Sequence, residues 1–128
     1  MSHAEAADSS PLRVLLVEDD PDLAEATAEF LKMEGLDVQI AVSGRDALDT
    51  APKFHPQLVL CDLNLPDMSG LDVVRGLRSN PSTQKTYVVI LTAMRAPAEQ
   101  PGVDAFISKP ITSDAVQELM EKLAPHQD

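Results

Sequence analysis

The sequence predicts an α/β fold, a doubly wound five-stranded parallel sheet, and three observations carry that prediction. Short apolar runs alternate along the chain with segments of helical period, the pattern of a parallel sheet covered by helices on both faces through right-handed crossovers. Four of these runs end on polar side chains: Glu18-Asp19-Asp20, Asp62, Thr92 and Lys109. With 128 residues, the chain holds one core of ordinary size and is too short for two.

Taken in order, Met1 to Pro11 is small, polar and acidic, and is expected to be a disordered leader. An ordered domain is expected over residues 12–124, followed by a short tail over 125–128. Leu12 to Val17 is nearly all apolar and reads as a central strand. Asp20 before Pro21 is a helix start, with Asp20 as N-cap and proline at the first helical position. The helix is expected to carry Leu23, Thr27, Phe30 and Leu31 on one face and to stop at Gly35. Val38 and Ile40 alternate with polar residues, as in an edge strand, and a second helix is expected from about Gly44 to Ala51, ended by Pro52 and Pro56.

The third apolar run, Leu58 to Asp62, is short enough for a strand buried on both faces and is followed by a turn through Pro66 to Gly70. Leu71, Val74 and Leu77 mark a third helix that Asn80-Pro81 terminates. Tyr87 to Leu91 is a fourth strand and Ala105 to Ile107 a fifth. The last helix begins near Ser113 and places Val116, Leu119, Met120 and Leu123 at helical spacing.

Composition limits the function. A net charge of −11 with scattered Lys and Arg opposes a phosphate backbone, so no direct nucleic-acid contact is expected. Four aromatic residues, Tyr87 and three Phe, are too few for a base-stacking surface. The single Cys61 lies within an apolar run and permits neither an internal disulfide nor a cysteine metal cage. His3, His55 and His126 lack metal-ligand spacing, and no stretch is long enough to span a membrane, so a cytoplasmic protein without membrane insertion is expected.

A lone Asp after a strand is most often a turn or helix-cap residue. In a parallel sheet, however, all strand carboxyl ends share one edge, where open α/β sheets place their chemistry. Glu18-Asp19-Asp20, Asp62, Thr92-Ala93 and Lys109-Pro110 are therefore expected to converge there. Carboxylates in that number suit a hard divalent cation such as Mg²⁺. A hydroxyl and an ammonium are the complement for the oxygens of a phosphoryl group, with Asp62 as the natural nucleophilic acceptor.

These motifs, in this order from about Leu12 to Leu123, resemble the receiver domain of two-component response regulators, a flavodoxin-like fold. The resemblance implies that Asp62 is the phosphoacceptor and that Glu18 and Asp19 hold Mg²⁺, although the acidic run alone does not select two of its three members. It implies that the backbone carbonyl of Asn64 completes the protein share of the metal shell. By the same resemblance, Thr92 is the switch hydroxyl, Ala93 the small residue beside it, and Lys109 the partner of a phosphoryl oxygen. Pro110 follows Lys109 through a cis bond, and Met94 stands near the site entrance, where it influences dephosphorylation. Phe106 matches an aromatic switch position, with ordinary core packing as the other reading. The implied function is a phosphorylation-switched phosphorelay module, not an enzyme with turnover, fed by a histidine kinase or histidine phosphotransfer domain.

One segment departs from the family pattern. Residues 94–101 are short and contain Pro97 and Pro101, so the fourth helix is expected to be shortened or missing. Two other readings remain at this level: a Mg²⁺-dependent phosphatase with an aspartate nucleophile, and a receiver that binds a partner without phosphorylation. Against the first, Asn64 stands where such hydrolases place a second acid.

Overall fold

The computed structural model describes residues 11–93 and 100–123. Its elements are β1 (Arg13–Val17), α1 (Pro21–Met33), β2 (Asp37–Ala41), α2 (Gly44–Phe54), β3 (Leu58–Asp62), α3 (Gly70–Ser79), β4 (Tyr87–Thr92), β5 (Ala105–Ser108) and α4 (Ser113–Leu123). The five strands form one parallel sheet in the order β2-β1-β3-β4-β5.

Side chains alternate across the sheet, and each face has its own apolar layer. Leu15, Val17, Val59, Cys61, Val88 and Ile90 face α2 and α3, meeting Ala47, Ala51, Val73, Val74 and Leu77. Val14, Leu16, Leu58, Leu60, Val89 and Leu91 face α1 and α4, meeting Ala28, Leu31, Val116 and Leu119. Burial of β1, β3 and β4 on both sides explains their unbroken apolar composition.

Local chemistry sets the helix ends. Asp20 caps α1 by accepting from the Asp22 and Leu23 amides at 3.0 and 3.3 Å. Gly35, at φ 98°, closes the same helix: its amide donates to Lys32 O and the Leu36 amide to Leu31 O. Leu36 and Leu31 then pack in the same layer. Asn80 caps the end of α3 in an extended conformation, as the residue before a proline must.

Two expectations are corrected. The buried face of α1 is Ala24, Ala28 and Leu31, while Leu23 is 40% exposed. Small residues let the helix axis approach the sheet, and this turns Leu23 to the rim of a cleft. Helix α2 runs through Pro52 to Phe54 instead of stopping at Ala51. Pro52 lies in the last turn, where only one intrahelical donor is lost, and the His55 amide closes the end on Ala51 O at 2.9 Å.

Four helices among the described residues fit the shortened form of the fold. Residues 94–99 of the divergent segment, the leader through Ser10 and residues 124–128 lie outside the described residues. Gln100 to Asp104 form a turn into β5, with Gly102 at φ 84°. No helix among the described residues is long and apolar enough to cross a membrane.

Candidate functional site

The carboxyl ends of β1, β3, β4 and β5 meet on one edge of the sheet, and the predicted polar residues meet with them. Glu18 follows β1 directly and is tied to the neighbouring strand by its amide, which donates to Ala41 O at 3.0 Å. Its carboxylate is fixed in turn by the Asp20 amide, at 3.3 Å from Oε2. Glu18 is 5% exposed and Asp62 8%, whereas Asp19 is open to solvent. Carboxylate oxygens of Glu18, Asp19 and Asp62 all lie within 4.8 Å of one another, so these three residues can hold a metal ion. Asp20 is not in that group; its side chain caps α1 instead.

The Lys109 ammonium stands between two of the acids, with Nζ 3.2 Å from Glu18 Oε1 and 3.2 Å from Asp62 Oδ2. Burial alone would lower its pKa, but the hydrogen bonds and charges of Glu18 and Asp62 outweigh this and hold it above the ordinary value. The Lys109 amide donates to Thr92 O at 2.8 Å, which sets the end of β5 against the end of β4. Lys109–Pro110 is a cis peptide bond. Thr92 is buried at the end of β4, next to exposed Ala93. Met94 lies outside the described residues.

After Asp62 the chain turns sharply. The Asn64 amide faces Asp62 Oδ1 at 3.5 Å, and the Gly70 amide donates to Leu63 O at 2.7 Å. A side chain on Gly70 would place its Cβ 2.5 Å from Asp62 O, so the start of α3 packs directly on the backbone of the strand end that carries Asp62. Ser69 caps α3 by accepting from the Leu71 amide, and Asp72 accepts from the Ser69 amide. Phe106 is half-buried and packs against the layer beneath α2 and α3. Cys61, behind Asp62, is fully buried; desolvation, with added repulsion from Asp62 and Glu18, pushes its thiol up and keeps it protonated.

A cleft of about 420 Å³ opens beside this cluster, lined by Glu18 and Lys109 on the polar side and by Leu23, Phe30, Leu91 and Ile111 on the apolar side. The sequence did not disclose that Lys109 bridges two acids, nor the contact at Gly70. The first depends on side chains 91 positions apart. The only signal for the second was a glycine where a helix begins.

Convergent acids, an ammonium and a hydroxyl on the carboxyl edge of a doubly wound sheet define an α/β module with a charged site at that edge. The model of the response regulator receiver domain matches residues 14–122, and the chain belongs to that family. It is 34% identical over 127 residues to the DNA-binding response regulator MtrA of Mycolicibacterium smegmatis, covering 94% of this chain and 54% of that protein. A CheY-like receiver domain from Methylobacillus flagellatus superposes with a TM-score of 0.82 at 30% identity, covering 89% of this chain and 99% of that one. The response regulator TrrA of Thermotoga maritima, in complex with Mg²⁺-BeF, gives a TM-score of 0.76 at 29% identity, covering 88% and 98%. The chain spans about half the length of the curated relatives it matches. One of them is named as DNA-binding, so the expectation of no nucleic-acid partner, drawn from the charge and the few aromatics of these 128 residues, is not supported by the relatives.

Proposed function

We propose that the domain is a phosphorylation switch in which Asp62 accepts a phosphoryl group from a histidine kinase or histidine phosphotransfer domain. The observation that carries this reading is the Lys109 ammonium held 3.2 Å from both Glu18 and Asp62 beside a third carboxylate. Asp62 Oδ attacks phosphorus, the phosphorus–nitrogen bond of the donor phosphohistidine breaks, and the electron pair leaves with the imidazole nitrogen. Lys109 then exchanges its contact with the acceptor carboxylate for one with a phosphoryl oxygen, offsetting the charge brought in.

Glu18, Asp19, Asp62 and the Asn64 carbonyl are the residues that would hold Mg²⁺, and the all-oxygen donor set suits that ion. Bound there, Mg²⁺ neutralises charge on the transferred group. TrrA, a member of the same family, is seen with Mg²⁺-BeF. Thr92 serves as the hydroxyl that moves to the phosphoryl group, Ala93 leaves space for it, Phe106 on β5 serves as the aromatic switch, and Pro110 follows Lys109 beyond the end of that strand. Met94 influences dephosphorylation. The domain is a phosphoacceptor that assists its own transfer and hydrolysis, not an enzyme acting on a diffusing substrate.

The test is mass spectrometry of the protein incubated with Mg²⁺ and acetyl phosphate. The parent is expected to gain one phosphoryl mass and Asp62→Asn none. Equal labelling of the two proteins removes Asp62 from the role.

A further inference from the structure

The loop after β3, residues 63–69, is held at its tip as well as at its base. At the base, Asn64 and Ser69 form an antiparallel bridge and the Gly70 amide donates to Leu63 O. At the tip, the Asp67 carboxylate reaches across to the first turn of α2. Gly44 N donates to Oδ1 and Arg45 N to Oδ2, both at 2.9 Å. Ser43, the N-cap of α2, accepts from the Asp46 amide, so Asp67 takes two helix-start donors that the local cap leaves over. These two amides hold the Asp67 carboxyl below its ordinary value even though the side chain is in solvent. Met68 closes the same junction against Gly44, where an added Cβ would come 2.4 Å from Met68 Cγ.

One carboxylate therefore fastens a turn to a helix start. Asn64 lies three positions before Asp67 on the same short loop, and its backbone turns directly out of Asp62. Freed from α2, the loop would keep its base contacts but lose the restraint on the path between Asn64 and Ser69. We propose that Asp67 is a positioning residue for the metal site, fixing the loop so that the Asn64 carbonyl is presented beside Asp62. This rests on the metal reading given above. Asp67 touches neither the metal nor the transferred group in this role; it acts through the backbone.

The experiment is isothermal titration of Mg²⁺ alone into the parent, Asp67→Ala and Asp67→Asn, with urea unfolding of each. Asp67→Ala is expected to bind Mg²⁺ about tenfold more weakly, the lower end of what partners outside the ligand shell supply. Asp67→Asn keeps one acceptor oxygen and is expected to fall between the two. Coupling is reciprocal, so Mg²⁺ is also expected to slow hydrogen exchange at the Gly44 and Arg45 amides in the parent and not in Asp67→Ala. A purely structural role would lower the urea midpoint and leave the Mg²⁺ affinity unchanged, and that result overturns the proposal. If Asp67→Ala does not fold, Asp67→Asn decides alone: weaker Mg²⁺ binding supports the role and unchanged binding overturns it. Failure of the parent to bind Mg²⁺ overturns both this inference and the metal reading, whereas equal affinities overturn only the inference.

Discussion

Lys109 is the residue whose environment is most sharply defined, because its ammonium offsets two carboxylates that are otherwise withdrawn from water. Its pKa is raised by folding, so its contribution to stability is complete below the ordinary value of 10.5 and is lost as pH rises through the folded value. The stability difference between the parent and Lys109→Met is therefore expected to be constant through neutral pH and to shrink only on the alkaline side of 10.5, as read by urea unfolding at a series of pH values. Gly70 is constrained differently. Its neighbour is the backbone oxygen of Asp62, which cannot move aside as a flexible side chain can. Gly70→Ala is expected to destabilise the fold by about 1–3 kcal/mol, measured by chemical denaturation, because overpacking displaces the strand end itself. Asp62, Thr92 and Lys109 were legible in the sequence since each is a polar residue ending an apolar run. Asp67 was not: after a proline it reads as a turn residue, and its partners are amides more than twenty positions upstream.

Among the elements, the end of α3 is tied to the start of β4 and the approach to β5 through the Arg78 side chain. Arg78 donates to Gly102 O, Gln84 O and Thr86 O and to the Asp104 carboxylate, which itself accepts from Val88 N. The end of α3, the start of β4 and the approach to β5 are thus joined at one guanidinium, next to the segment where the chain departs from the family pattern. Arg78→Ala is expected to lower stability by about 1.5–3 kcal/mol, the range for hydrogen bonds to a charged group. A loss below about 0.5 kcal/mol, the level of an ordinary surface change, would show the anchor to be redundant. The five strands and four helices of the described residues were foreseeable from apolar runs and breakers, and the departures have physical causes. Pro52 reads as a stop in the sequence, yet a proline near a helix end removes only one donor, and burial of Ala47 and Ala51 carries the helix past it. On α1, helical spacing favoured Leu23 for the core, but close packing selected the alanines.

At the scale of the molecule, the site gathers like charge in a chain that already carries −11. A divalent cation that binds only the folded form adds stability by mass action. At a Mg²⁺ concentration ten times its dissociation constant, the gain is expected to be about 1.4 kcal/mol, read from the urea midpoint. An equal gain in Asp62→Asn would place the effect elsewhere on the surface.

The distribution of the site along the chain also orders its assembly. Pairing of β1 with β3 brings Glu18 and Asp62 together, while the lysine between them is 91 positions from Glu18 and is made later than either acid. A growing chain thus meets the repulsion before it owns the remedy. Until β5 joins the sheet, an external cation can supply the counter-charge that Lys109 later provides, and refolding in Mg²⁺ is expected to be faster than in its absence by stopped-flow measurement. Charge gathered at one strand edge would thereby tie the folding of the chain to the ionic content of its surroundings.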